Sequence, residues 1–277
     1  VKVRQQGKVK ELTAKSVVLA AGGFEANAEM RTRYLGPGWE LAKVRGTRYN
    51  TGDGIRMALD IGAMPYGNWS GCHSVGWDFN APPYGDLEVG DNFQKHSYPL
   101  GIIVNADGKR FVDEGADFRN YTYAQFGRAV LEQPKHFAWQ IFDSKVFDLL
   151  YEEYRFEDAS FVEADSLEAL VQKLSGVDQN RALKTLQDYN DAVDTDVEFD
   201  PTILDGKATK GLSLNKTNWA QKFDTPPYRA FPVTGGITFT YGGLKVDSHG
   251  CVLSENNTPI NGLYACGEMV GGVFFGG

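Results

Sequence analysis

The sequence predicts an α/β protein in which a glycine-rich sheet domain is interrupted by a mixed α+β segment. Three observations carry that reading. Ser16 to Phe24 is a short apolar run closing on Gly22-Gly23, as strands do where the backbone must come close to a ligand. The middle of the chain instead alternates helix-period segments with an Asp-Gly turn. From Gly235 the strand-and-glycine pattern returns, with further pairs at Gly242-Gly243, Gly271-Gly272 and Gly276-Gly277. The 32 glycines in 277 residues, about 12% against a usual 7% or so, follow no repeat, which excludes collagen.

Taken in order, Val1 to Arg4 and Lys8 to Leu12 alternate like two strands joined at Gly7. Val17 to Ala21 is apolar throughout and suits a parallel strand buried on both faces. Glu25 to Tyr34 has helical character, and so does Gly54 to Gly62, where Ile55, Ala58 and Leu59 share a face and Gly62 supplies the stop. Ile102 to Asn105 and Lys109 to Val112 flank Asp107-Gly108 as the arms of a hairpin. Leu167, Leu170, Val171 and Leu174 stand at i, i+3, i+4 and i+7, with Asp165 available as a cap, and a second helix spans Gln179 to Val193. Asp194 to Lys216 reads as irregular, and Gly242 to Asp247 and Asn261 to Glu268 as strands. The implied division is 1–70, 71–236 and 237–277, the first and last segments forming one domain.

A net charge of −8 argues against a nucleic-acid or anionic-membrane binder, which needs clustered Lys and Arg. The longest apolar run is far too short for a transmembrane segment, and no signal peptide opens the chain. Cys72, Cys251 and Cys266 are odd in number and widely spaced, so reduced thiols in a cytoplasmic protein are expected. The histidines and cysteines lack metal-ligand spacing, and Phe199 occupies the glycine position that a calcium loop would need between Asp194 and Asp200. No Gly-x-Ser-x-Gly elbow supports a hydrolase.

Three glycine-framed segments occur in a telling order: Val17 to Phe24, then Thr51-Gly52-Asp53-Gly54, then Gly262 to Gly272 with Gly267-Glu268 at its centre. With Asp107 to Glu114 and Arg119-Asn120, they resemble the flavoprotein family of FAD-dependent fumarate reductases and succinate dehydrogenases, closest to its tricarballylate dehydrogenase-like branch. The resemblance covers nearly the whole chain. It implies an FAD-binding Rossmann-like domain interrupted by a fumarate-reductase-type capping domain, and a flavoenzyme acting on CH–CH groups. By that resemblance FAD lies along Ala21, Gly22 and Gly23, near Thr51, Gly52, Asp53 and Gly54, and against Gly267, Glu268, Gly271 and Gly272. The Glu268 carboxylate is expected to accept hydrogen bonds from ribityl hydroxyls.

Arg119 matches the family's catalytic arginine. Three roles stay open for it: moving a proton, clamping a substrate carboxylate, or a structural ion pair with Asp113, Glu114 or Asp117. His73 falls near the family's substrate-carboxylate histidine, and His96, Tyr98, Phe239 and Thr240 are further substrate-side candidates. Phe239 stands where fumarate reductases carry a histidine, and Phe93-Gln94 where a Thr-Glu pair is expected. Both departures weaken fumarate or succinate as substrate, since fixed donors would be lost. They favour a bulkier polycarboxylate such as tricarballylate, with a ketosteroid dehydrogenase-like enzyme as the alternative. The electron acceptor is left open. The family's opening Gly-x-Gly-x-x-Gly turn is absent, so the chain is expected to be an internal fragment, and a contrasting reading is a cap-domain remnant that does not retain FAD.

Overall fold

The computed structural model describes residues 1–276, which leaves Gly277 of the last glycine pair outside the described residues. An exposed hairpin opens the chain, β1 (Lys2–Gln5) with β2 (Lys8–Glu11). Strand β3 (Val17–Leu19) leads through the first glycine pair to α1 (Ala28–Leu35), which is capped by the Asn27 side chain. Then follow β4 (Lys43–Val44), α2 (Asp53–Leu59), β5 (Pro65–Tyr66), β6 (Cys72–Asp78) and β7 (Ile102–Asn105). Helix α3 (Arg119–Leu131), β8 (Phe137–Asp143), β9 (Val162–Ala164), α4 (Leu167–Lys173) and α5 (Gln179–Ala192) complete the middle. The last part holds β10 (Tyr228–Thr240), β11 (Gly243–Leu244), β12 (Cys251–Leu253) and β13 (Pro259–Ala265).

Strand β10 is the spine. Its first half pairs with β8 on one edge and β9 on the other, and its second half with β6 and, in parallel, β4. It runs unbroken through position 236, so one rigid strand links two hydrophobic clusters. One packs β7 and β8 against α4 and α5; the other gathers β3, α1, α2 and β13. A bulge between Ile237 and Phe239 re-aims the last residues of β10.

Several expectations change. Val18 is 62% exposed, so β3 is not buried on both faces; it pairs in parallel with β13 on one side only among the described residues. The turn at Asp107-Gly108 closes and Val104 bridges Arg110, but Lys109 to Val112 extends into no strand, and β7 finds its ladder partner in β8. The reason is chemical: Arg110 turns inward to pair with buried Glu114, and Glu114 Oε1 accepts from the Ile103 N–H at 2.7 Å, supplying the bond a hairpin arm would have made. Ser166, not Asp165, caps α4, its hydroxyl accepting from the Ala169 N–H. The last sheet segment begins at Tyr228 rather than Gly235.

One packing contact places the site. At Gly127 of α3 a side chain would strike the backbone of Val75 on β6, and at Gly235 of β10 one would strike Leu131 and the Gly127 carbonyl. Helix α3 therefore lies directly on the backbones of β6 and β10. The Ser74 hydroxyl fixes the register, donating to the Ala124 carbonyl and accepting from the Arg128 N–H. Gly127→Ala is expected to cost about 1–3 kcal/mol of stability, read as a lower urea midpoint with unchanged slope. An unchanged midpoint would show that the helix has room to lift.

Candidate functional site

Two neighbouring groups of residues meet at the end of β10. The first surrounds the glycine pair after β3. Gly22 adopts positive φ and abuts the Asn50 side chain; at Gly23 a Cβ would overlap the Glu268 carboxylate and the Thr240 hydroxyl. Glu268 Oε1 accepts from Thr240 N at 2.7 Å and from Thr240 Oγ1 at 3.1 Å. Beside it, Glu25 is buried and accepts from the Asn50 amide, while its Oε2 has no partner. A cavity of ≈ 560 Å³ opens here, walled by Phe239, Tyr241, Val270 and Phe274 and bearing Thr240, Gly267 and Glu268.

The other expected cofactor residues divide. Ala21 is exposed, and the space beside Gly267 is open. Gly52, at positive φ, lets the start of α2 pass under Met30 and Phe24, and Gly54 faces Met269. Asp53 is exposed, accepting from Thr51 Oγ1 at 2.9 Å and pairing with Arg56 at 2.6 Å. Gly271 and Gly272 make their close approach to Tyr66.

The second group is built by α3 seated on β6. His73 Nε2 lies 2.7 Å from the Tyr123 hydroxyl, and its ring stacks on Phe239 with centroids 4.9 Å apart. The His96 ring packs 4.8 Å from Tyr123, and its Nδ1 lies 3.3 Å from Arg119 Nη1, which donates to it. Arg119 Nε also donates to the Tyr151 hydroxyl at 3.1 Å, with the guanidinium 4.7 Å above that ring. Beyond Arg119 lies a cavity of ≈ 180 Å³ lined by Leu100, Phe118, Leu149, Tyr151 and Trp219.

Burial pushes His96 down to about 3, helped by the positive charges of Arg119 and Arg45, and burial with Arg45 holds His73 below the usual imidazole range. Both rings are neutral at physiological pH. The structural ion pair envisaged for Arg119 does not form: Glu114 pairs with Arg110, Asp113 is bonded to Thr217, and Asp117 accepts from the Phe118 N–H. Arg119 is thus a half-buried cation with no carboxylate partner among the described residues. Arg45, by contrast, is paired with Asp91.

Of the sequence candidates, Arg119, His73, His96 and Phe239 come together, and Thr240 sits with Glu268. Tyr98 goes elsewhere, into the core beneath α3, its hydroxyl 2.6 Å from Thr122 Oγ1 and its ring against Phe126. Sequence reasoning missed Tyr123, Tyr151, Glu25 and Asn50. The spacing of Tyr123, one turn after Arg119 on the same helix, carried that signal; Tyr151 and Asn50 had none.

A flavin cofactor needs an apolar wall for its ring system and acceptors for its hydroxyls. The first cavity offers both, with Phe239, Tyr241 and Phe274 as wall and Glu268 as acceptor, beside a glycine that no side chain could replace. These residues fit the group.

Comparison with known proteins agrees. The chain belongs to the FAD binding domain family, whose model matches residues 1–276. It is 32% identical over 265 residues to the probable fumarate reductase Ifc3 of Shewanella frigidimarina, covering 94% of this chain and 40% of that protein. Its fold matches the open conformation of a flavocytochrome c3 fumarate reductase with a TM-score of 0.67 at 29% identity, over 94% of this chain and 41% of the other. It matches equally, at TM-score 0.67 and 29% identity, a 3-ketosteroid delta1-dehydrogenase from Sterolibacterium denitrificans solved with 1,4-androstadiene-3,17-dione, over 98% of this chain and 50% of the other. The chain spans half or less of the length of these relatives. No helix among the described residues is long and apolar enough to cross a membrane.

The depressed value of His96 has a consequence for stability. The unfolded chain takes a proton on this imidazole near pH 6.5 and the folded chain only near 3, so folding stability falls as pH drops through that window. His96→Gln should remove this component, flattening the loss by up to about 1.4 kcal/mol per pH unit in denaturant titrations between those limits. Identical slopes in the two proteins would place the His96 ring in water.

Proposed function

We propose that the whole protein is an FAD-dependent oxidoreductase that moves a hydride between the flavin and a C–C bond next to a carboxylate. The observation that carries this reading is Arg119, a cation lacking a counter-ion among the described residues at the first turn of α3, which donates to neutral His96 next to the Tyr123 that holds neutral His73 against Phe239 of β10. Residues 1–70 and 237–277 serve as the cofactor part and 71–236 as the cap.

Bound FAD supplies the hydride donor or acceptor. The chain's residues do the rest. Arg119 receives the substrate carboxylate on the guanidinium edge that Tyr151 and His96 leave free, an interaction worth about 1.5–3 kcal/mol for a charged hydrogen bond. His73, held by Tyr123 and backed by Phe239, orients a second oxygen through a neutral ring. His96 Nδ1, kept neutral by burial, accepts from Arg119 Nη1 and so holds the guanidinium in place for the substrate. Phe239 on His73 excludes water from the reacting carbon.

A tricarballylate-like polycarboxylate is the substrate class we favour within this scheme, with Arg119 binding one of its carboxylates. A ketosteroid dehydrogenase-like activity is the second reading, favoured by Phe239 and by the apolar cavity beside Arg119.

Assays of the complete protein with tricarballylate, succinate and a 3-ketosteroid separate the two. Arg119→Ala is expected to lower turnover by about 10²–10⁴-fold while visible flavin absorbance is retained. Undiminished turnover would overturn its role.

A further inference from the structure

The most unusual group outside the scheme above is Glu25. Its carboxyl is 3% exposed, yet faces a second carboxyl, Glu268, instead of a cation. One oxygen accepts from Asn50 Nδ2, and the other, Oε2, is buried with no donor. A buried carboxylate in that position would leave an acceptor unpaired and two like charges in contact, an arrangement that costs several kcal/mol. A single proton removes both faults, because Glu25 then becomes a donor.

We propose that Glu25 and Glu268 form an acid–carboxylate pair, in which Glu25 donates to Glu268 and so fixes the Glu268 carboxylate for the hydroxyls of the flavin cofactor. Glu25 is a positioning residue, and this inference rests on the cofactor reading. Three contacts frame the pair. Thr240 holds Glu268 Oε1 from the end of β10, Gly23 lets the Glu268 carboxylate occupy the space a side chain there would fill, and Asn50 holds Glu25 from the loop before α2. The charged groups facing Glu25 are Glu268 and, on α1, Arg31. The Arg31 Nη1 donates to the Glu25 main-chain oxygen at 2.6 Å rather than to its carboxyl. Burial first, and Glu268 second, push the Glu25 carboxyl up to about 8. The pair therefore keeps its proton at neutral pH and loses it in mild alkali.

Two measurements on the intact chain test this. Infrared difference spectroscopy should show the carbonyl band of a protonated carboxylic acid at about pH 7. That band should vanish at about pH 9.5 and be missing from Glu25→Gln. FAD binding, followed by fluorescence quenching, should weaken by about tenfold per pH unit above about 8 in the wild type. Glu25→Gln carries a permanent donor and should bind with an affinity that does not change over the same range. Glu25→Ala should lose about tenfold or more at pH 7. A missing carbonyl band at neutral pH, or a Gln variant with the wild-type pH slope, overturns the pair. A band present in a chain that takes up no flavin at any pH overturns instead the cofactor reading beneath it.

Discussion

The site depends on one backbone-to-backbone contact. Helix α3 reaches β6 and β10 without intervening side chains because Gly127 and Gly235 leave none in the way. That closeness brings Tyr123 to the His73 ring and sets Arg119, at the first turn, beside His96. A helix lifted by a single methyl group would separate partners that now sit 2.7 Å and 3.3 Å apart. Core packing tolerates little of this kind of displacement, since close-packed interiors transmit strain rather than absorb it. Strand β10 extends the same logic, carrying Phe239 and Thr240 past its bulge from the helix contact to the cavity edge.

Burial then decides the charges. In the polar cluster it strips the histidines of their protons, beside Arg119, a cation without a counter-ion among the described residues. Behind Glu268 it does the opposite to a carboxyl, raising the value of Glu25. Both effects follow from one cause, the penalty on an ionised group in a poorly hydrated setting. They produce a neutral-donor environment around one fixed positive charge, which suits an oxygen-bearing substrate held at a single carboxylate. The buried pair Arg110–Glu114 supports this arrangement from below, by bonding the edge of β7 and by keeping Glu114 away from Arg119.

Much of this was legible in the sequence. The glycine pairs, the run from Val17 and the helix from Leu167 were local signals, and the motif order pointed to the family that the comparisons show. What stayed hidden was long-range. The second hairpin arm after Gly108 stops at a single bridge, Val104 to Arg110, because Glu114, four positions beyond Arg110, takes the Ile103 N–H, a competition that turn chemistry does not reveal. Tyr98, like His96, precedes the Asp107-Gly108 turn on the side expected to face substrate, but the 3₁₀ turn at Tyr98–Leu100 points it inward. Tyr151 reaches Arg119 from 32 residues away. Glu25 sits two residues after Gly23, and only the fold shows that Glu268 lies opposite it.

The central claim is that the flavin is held where Gly23 meets Glu268 and Thr240. Titration of the chain with FAD, comparing wild type with a correctly folded Gly23→Val variant, tests it most directly. Saturable uptake by the wild type and none by the variant is the predicted result, because a side chain at Gly23 must displace the Glu268 carboxylate. Equal uptake by both proteins would contradict the account.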